Sequence, residues 1–336
     1  MKVGFDISQI VFKGGVSNYT KNLTEELQKI EDLDMVFFFS SLRKRYHGDL
    51  KNVKKFRLPP SLFEVLFNRL RNVPIERFLG AVDIFHSSDW VQPPSRAKNV
   101  TTYHDVIPIK FPDWSDPKIV AVHKRRLKIV EKEIDKVIAV SNSTKNDLLS
   151  VSTLKPEQIE VIYEGVSDDF KRATEKQISD FRKKYKLPEK FVLAIGGVGK
   201  RKNLERIKDA AKDFNLVISL KDLIVEDAEI QTLYSSAQAL IYTPLYEGFG
   251  LPILEAMACG TPVITSNVSS MPEIAGDAAS IVNPEKVEEI RKALSDLMGD
   301  QKLRNNLIEK GEKRAKEFTW KKAARETYEL YKSILK

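Results

Sequence analysis

Short runs rich in Val, Ile and Phe recur along this chain with amphipathic helical runs between them, and that alternation constrains the fold more than any other feature. Strand and helix in turn are the pattern of parallel βαβ units, in which sheets are covered by helices. In the first half, 3–7, 35–39, 82–86, 100–103, 137–140 and 160–163 read as strands, and 17–30, 61–71, 117–134 and 143–149 as helices. The pattern restarts at 191–195 and continues with strands at 216–219, 239–242, 262–265 and 280–282. Between the halves, the charged stretch 167–189 offers a helix but no strand, which suits a connection between domains. Three helical runs, 286–298, 301–317 and 320–335, end the chain. The expected fold class is α/β with parallel sheets, in one domain over 1–166 and a second over 167–317, followed by a terminal helix over 318–336. A length of 336 residues is long for one core and comfortable for two.

Composition narrows the function classes. Hydrophobic residues at 42% with mixed charges describe a globular protein. No apolar run approaches the roughly 18 to 20 residues that span a bilayer, and MKVGFDIS reads as a strand rather than a signal peptide, so the expected location is cytoplasmic. The single cysteine, Cys259, excludes an internal disulfide framework and a cysteine-rich zinc site. His47, His86 and His123 show no metal-ligand spacing, and no catalytic metal is expected.

The net charge of +8 is concentrated, because residues 41–77 hold ten Lys or Arg against Asp49, Glu64 and Glu76. Phe56, Leu62, Phe63, Val65, Leu66, Phe67, Leu70 and Phe78 are interleaved with them. Basic and apolar groups mixed in this way over 41–78 suit peripheral contact with an anionic membrane surface or an anionic acceptor. A solvated basic face over ordinary core residues would give the same pattern. No nucleic-acid recognition motif accompanies the charge, so nucleic acid is not an expected partner.

The segment 243–262, TPLYEGFGLPILEAMACGTP, places Glu247 in a glycine-rich turn and Glu255 one turn into the helix that follows. Gly248 and Gly250 let the backbone approach a ligand closely, Pro252 fits the first helical position, and Gly260 ends the helix. Free N–H groups at such a helix start, here near Phe249, Gly250 and Leu251, suit a phosphate. Glu255 can accept from two neighbouring hydroxyls, as a ribose would offer. An ordinary strand-turn-helix unit with Glu255 placed to favour the helix dipole is the plainer reading.

Glu247 and Glu255, with seven residues between them inside YEGFGLPILEAMACGTPVI, resemble the glutamate pair of the retaining, nucleotide-sugar-dependent glycosyltransferases of family 4. Gly14-Gly15-Val16, His104-Asp105-Val106-Ile107-Pro108, Ile138-Ala139-Val140-Ser141, Val161-Ile162-Tyr163-Glu164-Gly165-Val166, Arg201-Lys202-Asn203-Leu204 and Met271-Pro272-Glu273-Ile274-Ala275-Gly276 extend the resemblance, in the family's order, over most of the chain. It implies a GT-B fold, two Rossmann-like domains facing each other across a cleft, with a nucleotide-sugar donor held mainly by the C-terminal one. It also implies that the last helix crosses back onto the N-terminal domain, with Trp320, Tyr328 and Tyr331 as its buried face.

The same resemblance assigns roles. Arg201 and Lys202, after Gly196, Gly197 and Gly199 at the end of a strand, match the diphosphate-binding pair that meets charge on the leaving phosphate. Such enzymes use cationic side chains in place of a metal, and Asp32-Leu33-Asp34, the one Asp-x-Asp present, falls in a turn. Gly14 and Gly15 are expected to close over the donor phosphates, and His104 to lie beside the transferred sugar, with Asp105 orienting the loop or the ring. Glu247 is implied to hold a sugar hydroxyl rather than to attack carbon, so same-face attack is favoured over a covalent intermediate.

Three departures qualify these expectations. Thr243-Pro244 stands where the family often has Pro-Ser, and Glu164 where an Asn commonly precedes the glycine. The interval between the strands at 216–219 and 239–242 is too short for the strand and helix usually found near the nucleotide base, which leaves UDP, GDP and ADP donors open. The expected activity is metal-independent, retaining sugar transfer to a glycan or lipid-linked acceptor. Another GT-B activity, such as a phosphorylase or an epimerase, and a non-catalytic nucleotide-sugar or glycan-binding subunit are the alternatives.

Overall fold

The computed structural model describes residues 1–12, 14–87, 89–197, 199–219 and 223–336. They fall into two units, Met1–Gly165 with Trp320–Lys336, and Val166–Thr319.

The first unit is built on seven parallel strands: β1 (Lys2–Asp6), β2 (Asp34–Ser40), β3 (Val53–Phe56), β4 (Ile84–Ser87), β5 (Lys98–Tyr103), β6 (Lys136–Ala139) and β7 (Ile159–Val161). Their order is β3-β2-β1-β4-β5-β6-β7, with Gly4 in register between Val36 and Phe85. Helices on both faces bury the inner strands, which is why β2 reads as an unbroken apolar run, Met35 to Phe39. One core joins Tyr103, Val130, Val137 and Leu148. The other is aromatic: Phe38, Phe56, Phe63, Phe67 and Phe78 meet with ring centroids from 5.1 to 6.5 Å apart. A fully buried side chain of this size contributes about 1.5–3 kcal/mol.

The basic segment 41–78 therefore lends most of its large apolar side chains to a core. Leu42, Leu62 and Leu70 remain exposed. Strand β3 lies in this segment and was not expected, because Val53-Lys54-Lys55-Phe56 carries little apolar signal. Pairing with β2, from Phe37 opposite Val53 to Ser40 opposite Phe56, defines it, and its two lysines protect an open sheet edge. The helical run expected at 61–71 is an α turn, Pro60–Phe63, continued as a π-helix, Glu64–Leu70. The wider turns close where the Arg71 N–H donates to Leu66 O at 2.9 Å and its guanidinium donates to Phe67 O and Gln92 O.

The last helix, Trp320–Leu335, belongs to this first unit. Trp320, Ala323, Ala324, Thr327 and Tyr331 are buried at helical spacing, while Tyr328 is half-buried and donates to Asp32 at 3.0 Å. Asp32 thus serves the turn before β2.

The second unit has five parallel strands, β8 (Val192–Ile195), β9 (Leu216–Ser219), β10 (Ala239–Tyr242), β11 (Val263–Ser266) and β12 (Ala279–Val282), in the order β12-β11-β10-β8-β9. The chain leaves β8 for β9 on one side and returns for β10 on the other. Such a reversal opens a crevice beyond the carboxyl ends of the two middle strands. Here those strands are β8 and β10. Among the described residues of the chain, no helix is long and apolar enough to cross a membrane.

Candidate active site

The loop after β8 is shaped by close approach. The Gly196 N–H donates to Ser219 O at 2.8 Å, and a Cβ at Gly196 would fall 2.2 Å from that oxygen, so a larger residue cannot stand there. A single turn, Lys200–Lys202, follows, ending at Asn203 with φ 57°. The Asn203 amide donates to Thr243 O at 3.0 Å and to Pro284 O at 2.6 Å, and the Leu245 N–H donates to Arg201 O at 2.8 Å. These bonds fix the Lys200–Lys202 turn against the loop after β10.

Arg201 and Lys202 consequently converge on Glu247. Lys202 Nζ lies 2.8 Å from Glu247 Oε1, and Arg201 Nη1 pairs with the same oxygen. Burial alone would raise the Glu247 carboxyl, but Lys202 and Arg201 outweigh it and hold the group below the usual carboxylate range. Lys202 also stands 5.3 Å over the Tyr242 ring, with Nζ 3.3 Å from its hydroxyl. Burial, then the charges of Glu247 and Glu255, keep the Tyr242 phenol protonated well beyond its ordinary range. Two cations share one carboxylate.

The glycine turn is held from the loop before the helix Met271–Ala275. Ser269 Oγ accepts from Glu247 N at 3.0 Å and donates to Glu247 O at 2.8 Å, while Ser270 Oγ lies 2.8 Å from Phe249 O. Gly250 has φ 105°, and a Cβ there would meet Met271 Cε at 2.6 Å. The helix Leu251–Ala258 starts at Leu251 with no side-chain cap, so Pro252 is its second residue rather than its first. Phe249 is buried and Gly248 sits in the same turn. Glu255, half-buried on this helix, accepts from the Tyr234 hydroxyl at 2.8 Å.

The first unit carries the remaining candidates. Gly14, with φ 127°, precedes the helix Gly15–Leu27, which Gly15 opens. Tyr19 on that helix meets His104 edge-on, with centroids 4.6 Å apart. His104 follows β5, and its Nδ1 lies 3.0 Å from Oε1 of the buried Glu164. Burial opposes a charged ring, but the Glu164 bond and the Glu164, Asp89 and Asp105 charges outweigh it and raise the His104 pKa above 6.5. Asp105 Oδ1 accepts from Ile107 N at 2.9 Å, which shapes the loop.

Residues 131–314 match the family described as glycosyl transferases group 1, and residues 13–170 match glycosyltransferase family 4. The chain belongs to the group 1 glycosyltransferases. It is 26% identical over 290 residues to the O-antigen chain mannosyltransferase B of Escherichia coli, covering 75% of this chain and 74% of that one. It is 26% identical over 266 residues to the serotype-specific mannosyltransferase WbdA of the same organism, covering 68% of this chain and only 32% of that longer protein. Among solved structures, the sucrose-phosphate synthase of Thermosynechococcus elongatus superposes with a TM-score of 0.80 at 19% identity over 99% of both chains. Anabaena Alr3699/HepE in complex with UDP-glucose does so with 0.75 at 14% identity over 99% of this chain and 100% of that one. The fold of this group 1 glycosyltransferase is GT-B.

Sequence reasoning missed Tyr234, Tyr242, Ser269 and Ser270 in this site. Tyr234 reaches Glu255 from the helix Ile230–Ser236, a contact set by helix packing. The serine pair ahead of Met271-Pro272 bonds backbone 21 to 23 residues away, at Glu247 and Phe249, which no local signal announces. Among the described residues, no group of three or more His, Cys, Asp or Glu is arranged to hold a metal ion.

Proposed function

We propose that this glycosyltransferase moves a hexose, with retention of configuration and without a metal, from a nucleoside-diphosphate sugar to a glycan or lipid-linked acceptor. The observation that carries the reading is the convergence of Arg201 and Lys202 on Glu247 beyond the adjacent strands β8 and β10. When the bond from the anomeric carbon to the diphosphate breaks, charge grows on the leaving phosphate oxygen, and the two cations meet it. That oxygen then takes the proton of the acceptor hydroxyl, whose oxygen bonds the anomeric carbon from the same face. Glu247 holds a hydroxyl of the transferred sugar, Glu255 the ribose, and the N–H groups near Gly248, Phe249, Gly250 and Leu251 the phosphates. In the same reading Gly14 and Gly15 serve the donor phosphates, and His104 the transferred sugar.

The relative's name supports mannose as the sugar, and the UDP-glucose bound by Alr3699/HepE supports a nucleotide-sugar donor. The test is nucleotide release from a panel of UDP-, GDP- and ADP-sugars with glycan and lipid-linked acceptors, in the presence of a chelator, with the product's anomeric configuration read by NMR. Binding of donors with no turnover on any acceptor would point instead to a non-catalytic subunit. The exposed Leu42, Leu62 and Leu70 within the basic segment support contact with an anionic lipid surface. Vesicle co-sedimentation indifferent to anionic lipid and to salt would count against that contact.

A further inference from the structure

Glu164 has no role in the reading above, yet it is a carboxylate 4% exposed at the carboxyl edge of the first sheet. A buried carboxylate persists only where a partner compensates its lost hydration. That partner is His104, whose Nδ1 it meets at 3.0 Å. The ring is fixed on its other sides as well. Tyr19 stands edge-on to it and is itself tied to Thr102 Oγ1 at 2.9 Å, and Thr144 Oγ1 donates to the His104 carbonyl at 3.4 Å. Among the described residues, no hydrogen bond engages Nε2, and the side chain retains 12% exposure.

We propose that Glu164 is the positioning residue of His104, locking the imidazole through Nδ1–H so that Nε2 is presented to the sugar substrate. The inference rests on the sugar-transfer reading and concerns a position where this chain departs from the Asn common in the family. An amide there could hold the ring without stabilising its charge. With the carboxylate, the charged ring offers Nε2–H as a donor. Once neutral, it keeps Nδ1–H on Glu164 and leaves Nε2 an acceptor.

The other groups facing the ring act in known directions. Asp89, after β4, and Asp105, next in the chain, reinforce the charge. Asp89 is itself 3.6 Å from Arg126 Nη1, which tempers its pull. Burial keeps the Tyr19 phenol protonated and holds His86 on β4 neutral, with its pKa down to about 3. His104 therefore carries its charge to a pH above 6.5, and the donor is lost as pH rises through that point.

The test uses the full chain and the variants Glu164→Gln and Glu164→Asn, the second being the residue common in the family and a safeguard if the first folds poorly. The ring of His104, assigned by its loss in His104→Gln, is titrated by NMR, and the pH profile of kcat/KM is measured with the donor that the panel identifies. Both variants should lower the ring's midpoint, and the high-pH limb of kcat/KM should move down with it. An unmoved midpoint overturns the proposal. So does a moved midpoint with an unmoved profile, because the charged ring would then not serve the reaction. Absence of transfer from every donor by the parent chain, with the midpoint still shifted, would sink the sugar-transfer reading while the charged pair stood.

Discussion

In the second unit Arg201 and Lys202 converge on one carboxylate, Glu247, whereas in the first a single imidazole, His104, meets one carboxylate, Glu164. The first arrangement keeps its cations charged, since guanidinium and ammonium groups do not titrate across the physiological range. The second is balanced and titrates. A diphosphate carries its charge throughout a reaction and calls for a fixed counter-charge. A sugar hydroxyl is neutral and can be served by a group that switches between donor and acceptor. The two clusters thus differ in the chemistry that each can offer a ligand.

The comparison breaks most visibly if the fixed cluster is dispensable. Arg201→Ala or Lys202→Ala should each lower kcat by about 10²–10³, as the loss of one preorganised donor does. A melting curve near that of the parent would separate this loss from unfolding. Undiminished transfer in the double variant would remove the charge-meeting role altogether.

Glu247→Gln sharpens the same contrast, because it removes the charge that pairs with both cations and weakens the proposed contact to the sugar. Transfer should fall by about 10-fold or more, in line with roughly 1.5–3 kcal/mol for a charged hydrogen bond. Affinity for free nucleoside diphosphate should not weaken. Weakened diphosphate binding with unchanged transfer would reverse the assignment.

A second histidine, with different neighbours, is shifted the opposite way. His86, on β4, is fully buried between Thr102 Oγ1 at 2.8 Å and the Tyr331 hydroxyl at 2.6 Å, with no carboxylate bonded to it. Burial, with the nearby cations, holds its pKa down to about 3. Below pH 6.5 the unfolded chain therefore takes up a proton that the folded His86 refuses, so its contribution is present above 6.5 and is lost as pH falls toward 3. Urea unfolding should show the first unit losing about 1.4 kcal/mol per pH unit within that window from this residue. His86→Phe should flatten the slope, and an unchanged slope would show that His86 does not control it.

The smallest effect belongs to Tyr234→Phe, which removes the hydroxyl that orients Glu255. The donor KM should rise about fivefold with kcat nearly unchanged, matching ~1 kcal/mol for one hydrogen bond. A fall in kcat alone would place Glu255 in the chemistry rather than in binding.

Much of this was legible along the chain because the signals are local. The runs that became β1, β2, β5, β6 and the five strands of the second unit announce themselves by apolar, β-branched content, and the glycine-rich turns by residues that alone accept their backbone angles. Strand β3 was hidden because two of its four residues are lysines and its partner β2 supplies the pairing. The π-helical continuation at Glu64–Leu70 was hidden for a similar reason, since Arg71 fixes it partly through Gln92 O, in another segment. Tyr234 and Tyr242 carry no motif of their own and enter the site only because packing aims them there.

By itself, the sequence determined the parallel α/β architecture and the glycine turns, because each depends on periodicity or on residue types at short spacing, and its family resemblance singled out Arg201, Lys202, Glu247, Glu255 and His104 as candidates. Tertiary structure alone decided which charges meet. Glu247 lies beside Arg201 and Lys202 because β10 returns next to β8, and Glu164 lies beside His104 because the loops after β5 and β7 end at the same edge of one sheet. Coulombic interactions depend on distance in space, and sheet order sets that distance where spacing along the chain cannot.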